Sequence, residues 1–145
     1  MKNNFILNIF LSIGGGFLLT ELQLLLNTSI FTDFLKNNLV MLLVALIAIN
    51  SATLSIVLTK IRELMDKHMN ANFSATKSQM ILSINEQIIL IFFSIILIIV
   101  GEASSIKSNE HLKILVDVLI CASFIYGIRI LYDTAKSVFV ILDYK

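Results

Sequence analysis

The sequence predicts an all-α integral membrane protein, built as one domain of four transmembrane helices in a bundle. Of its 145 residues, 57% are apolar and only 14% are charged, and it contains no proline. Soluble domains contain roughly 45–50% apolar and about 25% charged residues. The composition and the mean hydropathy of +0.91 therefore favour a lipid environment. The absence of proline, which breaks helices, suits long uninterrupted helices.

Four segments of the sequence have the length and apolar character that a spanning helix needs, roughly 20 residues for a core about 30 Å thick. We expect spans at about 5–26, 39–58, 81–101 and 114–138. The first begins like a signal peptide, but no small-residue cleavage site follows it, so we expect a retained helix. The third has a short apolar centre at 88–100, which 80–87 can lengthen.

The distribution of lysine and arginine predicts the orientation, because cytoplasmic loops are enriched in both. Eight of the 11 fall at the two termini and the second connection, and three fall on the other side. We therefore expect both termini in the cytoplasm. Richness in Asn, Lys and Ile suggests a bacterial chain, and hence the bacterial inner membrane.

Small residues are spaced to form one face of the second helix, and such faces allow membrane helices to approach closely. The main helix-packing candidates on this face are Ala48, Ala52 and Ser55. Gly16 and Gly127 are further packing candidates, in the first and fourth helices. The second-helix face can pack within one chain or between subunits of a homo-oligomer.

The first helix carries a continuous polar stripe at steps of three and four residues. Its members are Asn8, Ser12, Gly16, Thr20, Gln23 and Asn27. An unpaired polar group in hydrocarbon costs several kcal/mol, so the stripe must face protein or water. It either bonds to other helices or lines a hydrated path. Asn50, near the middle of the second helix, either bonds to a neighbouring helix and stabilises their packing, or makes a selectivity or gating contact.

Three carboxylates fall near the outer ends of three helices: Glu21, Glu102 and Asp117. Repeated around an oligomer, they would form an acidic ring that concentrates cations. The alternative is that each reaches water or pairs with a nearby lysine, namely Lys36, Lys107 or Lys113.

Four further residues are candidates for gating or for binding a cytoplasmic partner. Arg62 and His68 lie in the long connection 59–87, which opens as an amphipathic extension of the second helix. Arg129 and Asp133 are four residues apart on the last helix and can pair along it.

Several function classes find no support in the sequence. A net charge of +1 does not suit nucleic-acid binding. The histidines, His68 and His111, fall on opposite predicted sides of the membrane, and no cofactor or metal motif occurs. Cys121 has no second cysteine to pair with and is predicted to be a packing residue. We therefore expect no enzymatic activity and no cofactor.

In size and layout the chain resembles small phage-exclusion membrane proteins of the RexB kind. The similarity includes Ala122-Ser123-Phe124-Ile125 in the last helix and Lys60-Ile61-Arg62 after the second. This resemblance implies an ion-conducting or depolarising role in antiviral defence. The polar stripe of the first helix and the outer carboxylates make an oligomeric pore or ion channel the leading hypothesis. The alternatives are a non-catalytic anchor or assembly subunit that docks a cytoplasmic partner through 59–87, and a holin-like lysis protein.

Overall fold

The computed structural model describes residues 2–67 and 73–142, and this part of the chain is helical and contains no strand. The helices are α1 (Lys2–Leu25), α2 (Ile30–Lys67), α3 (Ser74–Gly101), the single-turn α4 (Ser104–Lys107) and α5 (Glu110–Leu142). Four of these described helices, α1, α2, α3 and α5, are long and apolar enough to cross a membrane. The all-helical class and the four membrane-length helices are therefore confirmed.

The second helix is much longer than the predicted span of 39–58, since α2 runs from Ile30 to Lys67. Asn37 and Asn38 lie between the first two predicted spans, where the sequence implies a connection. Instead, their Nδ2 atoms donate to the carbonyl oxygens of Asp33 and Phe34, one turn back in the same helix, at 2.8 Å each. The polar side chains are satisfied locally, so the helix continues through them and the connection shrinks to residues 26–29.

The turn between α1 and α2 is fixed by Asn27. Its φ of 50° places it in the left-handed region, which asparagine tolerates better than most residues. The amide of Thr28 donates to Gln23 O at 2.9 Å, and that of Asn27 donates to Leu24 O at 3.1 Å. These two bonds form the Schellman arrangement that ends many helices. The chain therefore reverses tightly, and α2 lies antiparallel to α1.

The last helix, α5, is the centre of the bundle and contacts each of the other four helices. Of its most apolar stretch, 44% is buried, against 22% in α1, α2 and α3. The main core lies between α2, α3 and α5 and contains Leu35, Leu39, Leu43, Leu90, Leu97, Val116, Ile120, Cys121 and Ile130. Within the described residues, α1 and α3 both pack on α5 but not on each other.

A second, smaller core lies where α2 ends and α3 begins. It contains Leu54, Val57, Ile61, Leu64 and Met80, with Phe73, Ile84 and Val138 packed against them. We call this three-helix segment, residues 54–67, 73–84 and 134–142, the extension. Residues 59–67 and 74–87 of the region predicted as a long connection are therefore helical.

Candidate functional site

Apart from isolated hydroxyls that bond to their own helix, the polar side chains inside the bundle form two layers. Along α5, Asp133 of one layer lies 16 positions after Asp117 of the other. At a rise of about 1.5 Å per residue this is about 24 Å, close to the thickness of a bilayer core. The turn layer contains Gln23, Thr32, Lys36 and Asp117. The extension layer contains Asn8, Asn50, Ser83, Glu86, Gln87, Arg129, Asp133 and Thr134.

The polar stripe of α1 lies against its own bundle. Ser12 and Thr20 are 2% and 4% exposed. Their hydroxyls donate to the carbonyl oxygens of Asn8 and Gly16 at 2.8 and 2.9 Å. Such bonds to the preceding turn satisfy a hydroxyl without water or a partner helix. The central part of the stripe is therefore buried and internally satisfied.

Gly16 lies where α1 crosses α5. A Cβ atom at this position would lie 2.5 Å from Val118 O and 2.8 Å from Ala122 N. Both are backbone atoms, which cannot rotate aside. The two helices approach so closely because residue 16 has no side chain.

In the extension layer, Asn8 joins α1 to two charged residues of α5. Nε and Nη2 of Arg129 donate to Asn8 Oδ1 at 3.0 and 2.8 Å. Asn8 Nδ2 donates to Asp133 Oδ2 at 2.7 Å. The sequence had suggested that Arg129 and Asp133 pair along their helix or bind a partner. The structure places the Asn8 amide between them, so both are used to hold α1 on α5.

A second cluster of the extension layer joins α2, α3 and α5 around Asn50, which is fully buried. Asn50 Nδ2 donates to Gln87 Oε1 at 2.9 Å and to Ser83 Oγ at 3.1 Å. The hydroxyls of Ser83 and Thr134 lie 3.2 Å apart. Sequence reasoning predicted a partner for Asn50 but missed these three residues. The four-residue spacing of Ser83 and Gln87 was the one signal available.

The turn layer joins α1, α2 and α5. Gln23 bonds to Thr32 twice, with Nε2 donating to Thr32 Oγ1 and Oε1 accepting from the Thr32 amide, both at 3.0 Å. Lys36 Nζ lies 2.6 Å from Asp117 Oδ1, and the two side chains are 25% and 15% exposed. Of the three lysines that could pair with Asp117, it is therefore Lys36 on α2 that does so.

Unlike Asp117, the other two outer carboxylates do not pair with a lysine on another membrane-length helix. Glu102 pairs with Lys107 of α4 at 2.5 Å. The hydrogen bond and charge of Lys107, with a smaller contribution from Lys36, lower the pKa of Glu102. Glu21 is half-buried and makes no hydrogen bond or ion pair with any described residue. Two of the three carboxylates proposed for an acidic ring are thus neutralised within one chain.

The small-residue face of α2 lies on the outside of the bundle. Ala48, Ala52 and Ser55 are all exposed, so they are not part of the buried core of one chain. Packing between copies remains a prediction for this face. Gly127, by contrast, is buried, and a Cβ atom there would lie 2.7 Å from Leu43 Cδ2 of α2.

Of the two candidates in the predicted connection, Arg62 is exposed on the extension, and His68 lies outside the described residues. Among the described residues, no group of three or more His, Cys, Asp or Glu side chains could hold a metal ion. The polar groups instead connect helices to one another.

No protein-family model, curated protein or solved structure matches the chain. The resemblance to RexB-like proteins therefore stays a prediction, and function must be inferred from the geometry of this chain alone.

Proposed function

We propose that this chain is a non-catalytic membrane anchor or assembly subunit, which docks a cytoplasmic partner through its extension. The observation that carries this proposal is that the polar stripe of α1 faces its own bundle. Its buried hydroxyls bond within the helix, and Asn8 bonds to α5. A stripe used for internal packing leaves no polar wall for a water-filled path along α1.

The extension supports a docking role because it prolongs the bundle past the extension layer. The part of α2 after Asn50 contains 17 residues, which corresponds to about 25 Å of helix. Its own apolar core makes it a packed unit and not three separate helix ends. Arg62, Glu63 and Asp66 are exposed on it and offer charged contacts.

The orientation is part of the same proposal. The Lys and Arg bias predicts that the termini, and with them the extension, lie in the cytoplasm. The membrane proposed is the bacterial inner membrane. In this arrangement the four helices hold the extension at the membrane surface, where a partner reaches it from the cytoplasm.

A photo-crosslinking experiment tests the docking role. A photoreactive amino acid replaces Met65, which is 48% exposed on the extension. The matched control position is Met41, which is 65% exposed at the other end of α2. We expect a discrete hetero-adduct from position 65 in cells, absent from position 41 and lost when Arg62→Glu is added. Adducts only between copies of the chain, or none, would contradict the anchor role.

The pore is the second candidate, and the exposed small-residue face of α2 favours it. Ala48, Ala52 and Ser55 would let copies of α2 approach closely, as an oligomeric pore requires. Among the outer carboxylates, Glu21 alone lacks an ion pair within the described residues, so it is the remaining selectivity candidate. If the oligomer conducts in a planar bilayer, Glu21→Gln should shift its reversal potential toward non-selectivity. Absence of current at every voltage would refute the pore.

A further inference from the structure

An apolar groove opens on the side of the bundle between α1 and α3. These two helices pack on α5 without packing on each other, so a gap remains between them. The cavity has a volume of about 310 Å³, at the lower end of the range for ligand sites. Its walls include Ile13 of α1 and Phe93 of α3, and α5 forms its floor.

The groove extends from the extension layer into the apolar part of the bundle. Along α3 it is lined from Glu86 to Phe93, and along α5 from Leu119 to Tyr126. Each stretch is eight residues long and spans about 10 Å of helix. Since both α1 and α3 are of membrane length, the groove opens sideways toward the lipid, with one end at the level where the polar layer begins.

Among the described residues that line the groove, Glu86 is the one charged group, and it lies at that end. The hydroxyls of Ser12 and Ser123 are already used, donating to backbone carbonyls of their own helices. The carboxylate of Glu86 is half-buried and makes no hydrogen bond or ion pair with any described residue. An ionised carboxylate this close to hydrocarbon is costly without a partner, and a cation would supply that partner.

We propose that the groove binds a phospholipid with a primary amine headgroup, of the ethanolamine type. One acyl chain fills the groove, where it restores the packing contacts that an open gap lacks. The ammonium group donates charge-assisted hydrogen bonds to Glu86. A choline headgroup has no N–H to donate, and a glycerol headgroup leaves the phosphate charge unbalanced beside the Glu86 carboxylate. The site therefore distinguishes lipids by headgroup as well as by apolar contact.

Lipid retention tests this site directly. The purified protein is equilibrated with equal amounts of phosphatidylethanolamine, phosphatidylcholine and phosphatidylglycerol of identical acyl chains, and bound lipids are counted by native mass spectrometry. We expect about fivefold preference for phosphatidylethanolamine over phosphatidylcholine, the factor that about 1 kcal/mol represents. Glu86→Gln should remove this preference, and Glu86→Lys should shift it toward phosphatidylglycerol. Glu21→Gln, which alters a half-buried carboxylate at the other end of the bundle, should leave it unchanged.

Two further variants test whether an acyl chain occupies the groove. Ile13→Trp fills the groove and should reduce retention of all three lipids. Ile96→Trp adds the same bulk to α3 at a position that is 57% exposed and outside the groove, and should have no effect. Equal retention of all headgroups by the unmodified protein, or a preference that survives both substitutions of Glu86, would overturn the headgroup assignment. Unchanged retention in Ile13→Trp would overturn the groove as the site.

Discussion

Replacing Gly16 with alanine should open the contact between α1 and α5, whereas the same change at Gly14 should not. A Cβ atom at Gly16 would lie 2.5 Å from Val118 O, and at Gly14 it would meet nothing within 4 Å. Both substitutions gain the same intrinsic helix preference, up to about 1 kcal/mol. The difference between the two variants therefore isolates the helix contact, and overpacking of this kind costs about 1–3 kcal/mol.

The single cysteine reports on this contact. Cys121 is fully buried, next in sequence to Ala122, which Gly16 contacts. A thiol reagent reacts with a buried cysteine only when the surrounding structure opens locally. A loss of about 1–3 kcal/mol of local stability corresponds to roughly 5- to 150-fold faster labelling. We expect this acceleration in Gly16→Ala, relative to the unmodified chain and to Gly14→Ala. Equal labelling rates in the two variants would mean that α1 does not cross α5 at residue 16.

Three further substitutions should each affect a different part of the molecule. Asn50→Ala should lower the free energy of unfolding in detergent by about 1–3 kcal/mol, because it leaves the buried Gln87 amide without its partner; an unchanged value would refute the cluster. Lys107→Met should raise the Glu102 pKa toward its ordinary value in an NMR titration. Because Lys107 lowers the pKa of Glu102, the small stabilisation that the ion pair provides is lost as the pH falls through that pKa. A Glu102 pKa that does not move in the variant would exclude the pair. Ala48→Leu should change monomer stability by less than about 0.5 kcal/mol, because Ala48 is exposed, but should reduce cross-linking between copies; unreduced cross-linking would exclude this face from the interface.

The four helices could be predicted from the sequence because each contains a long apolar run, but their lengths could not. The polar pair Asn37 and Asn38 resembles a loop in composition. Whether such residues end a helix depends on where their amides find acceptors, and here they bond one turn back. The same limitation hid the extension, whose core forms only when residues 54–64 meet Met80 and Val138.

The polar residues of the site could be found by spacing, but their partners could not. The period of three and four residues identified Asn8 as part of a face. Its hydrogen bonds to Arg129 and Asp133 join residues more than 120 positions apart, so the local spacing of residues cannot predict them. In the same way, charge alone allowed several lysines for Asp117. Only the packing of α2 alongside α5, with both helices running in the same direction, brings Lys36 to it.

The most direct test of the inward-facing α1 stripe is its accessibility to water. In a Cys121→Ala background, Ser12→Cys is reconstituted into vesicles and treated with a water-soluble thiol reagent on both sides. Ser12 is 2% exposed, so the stripe packed on α5 predicts no labelling, while Arg62→Cys on the exposed extension should label rapidly. Rapid labelling of Ser12→Cys in the folded protein would place the stripe beside water and contradict the anchor in favour of a pore.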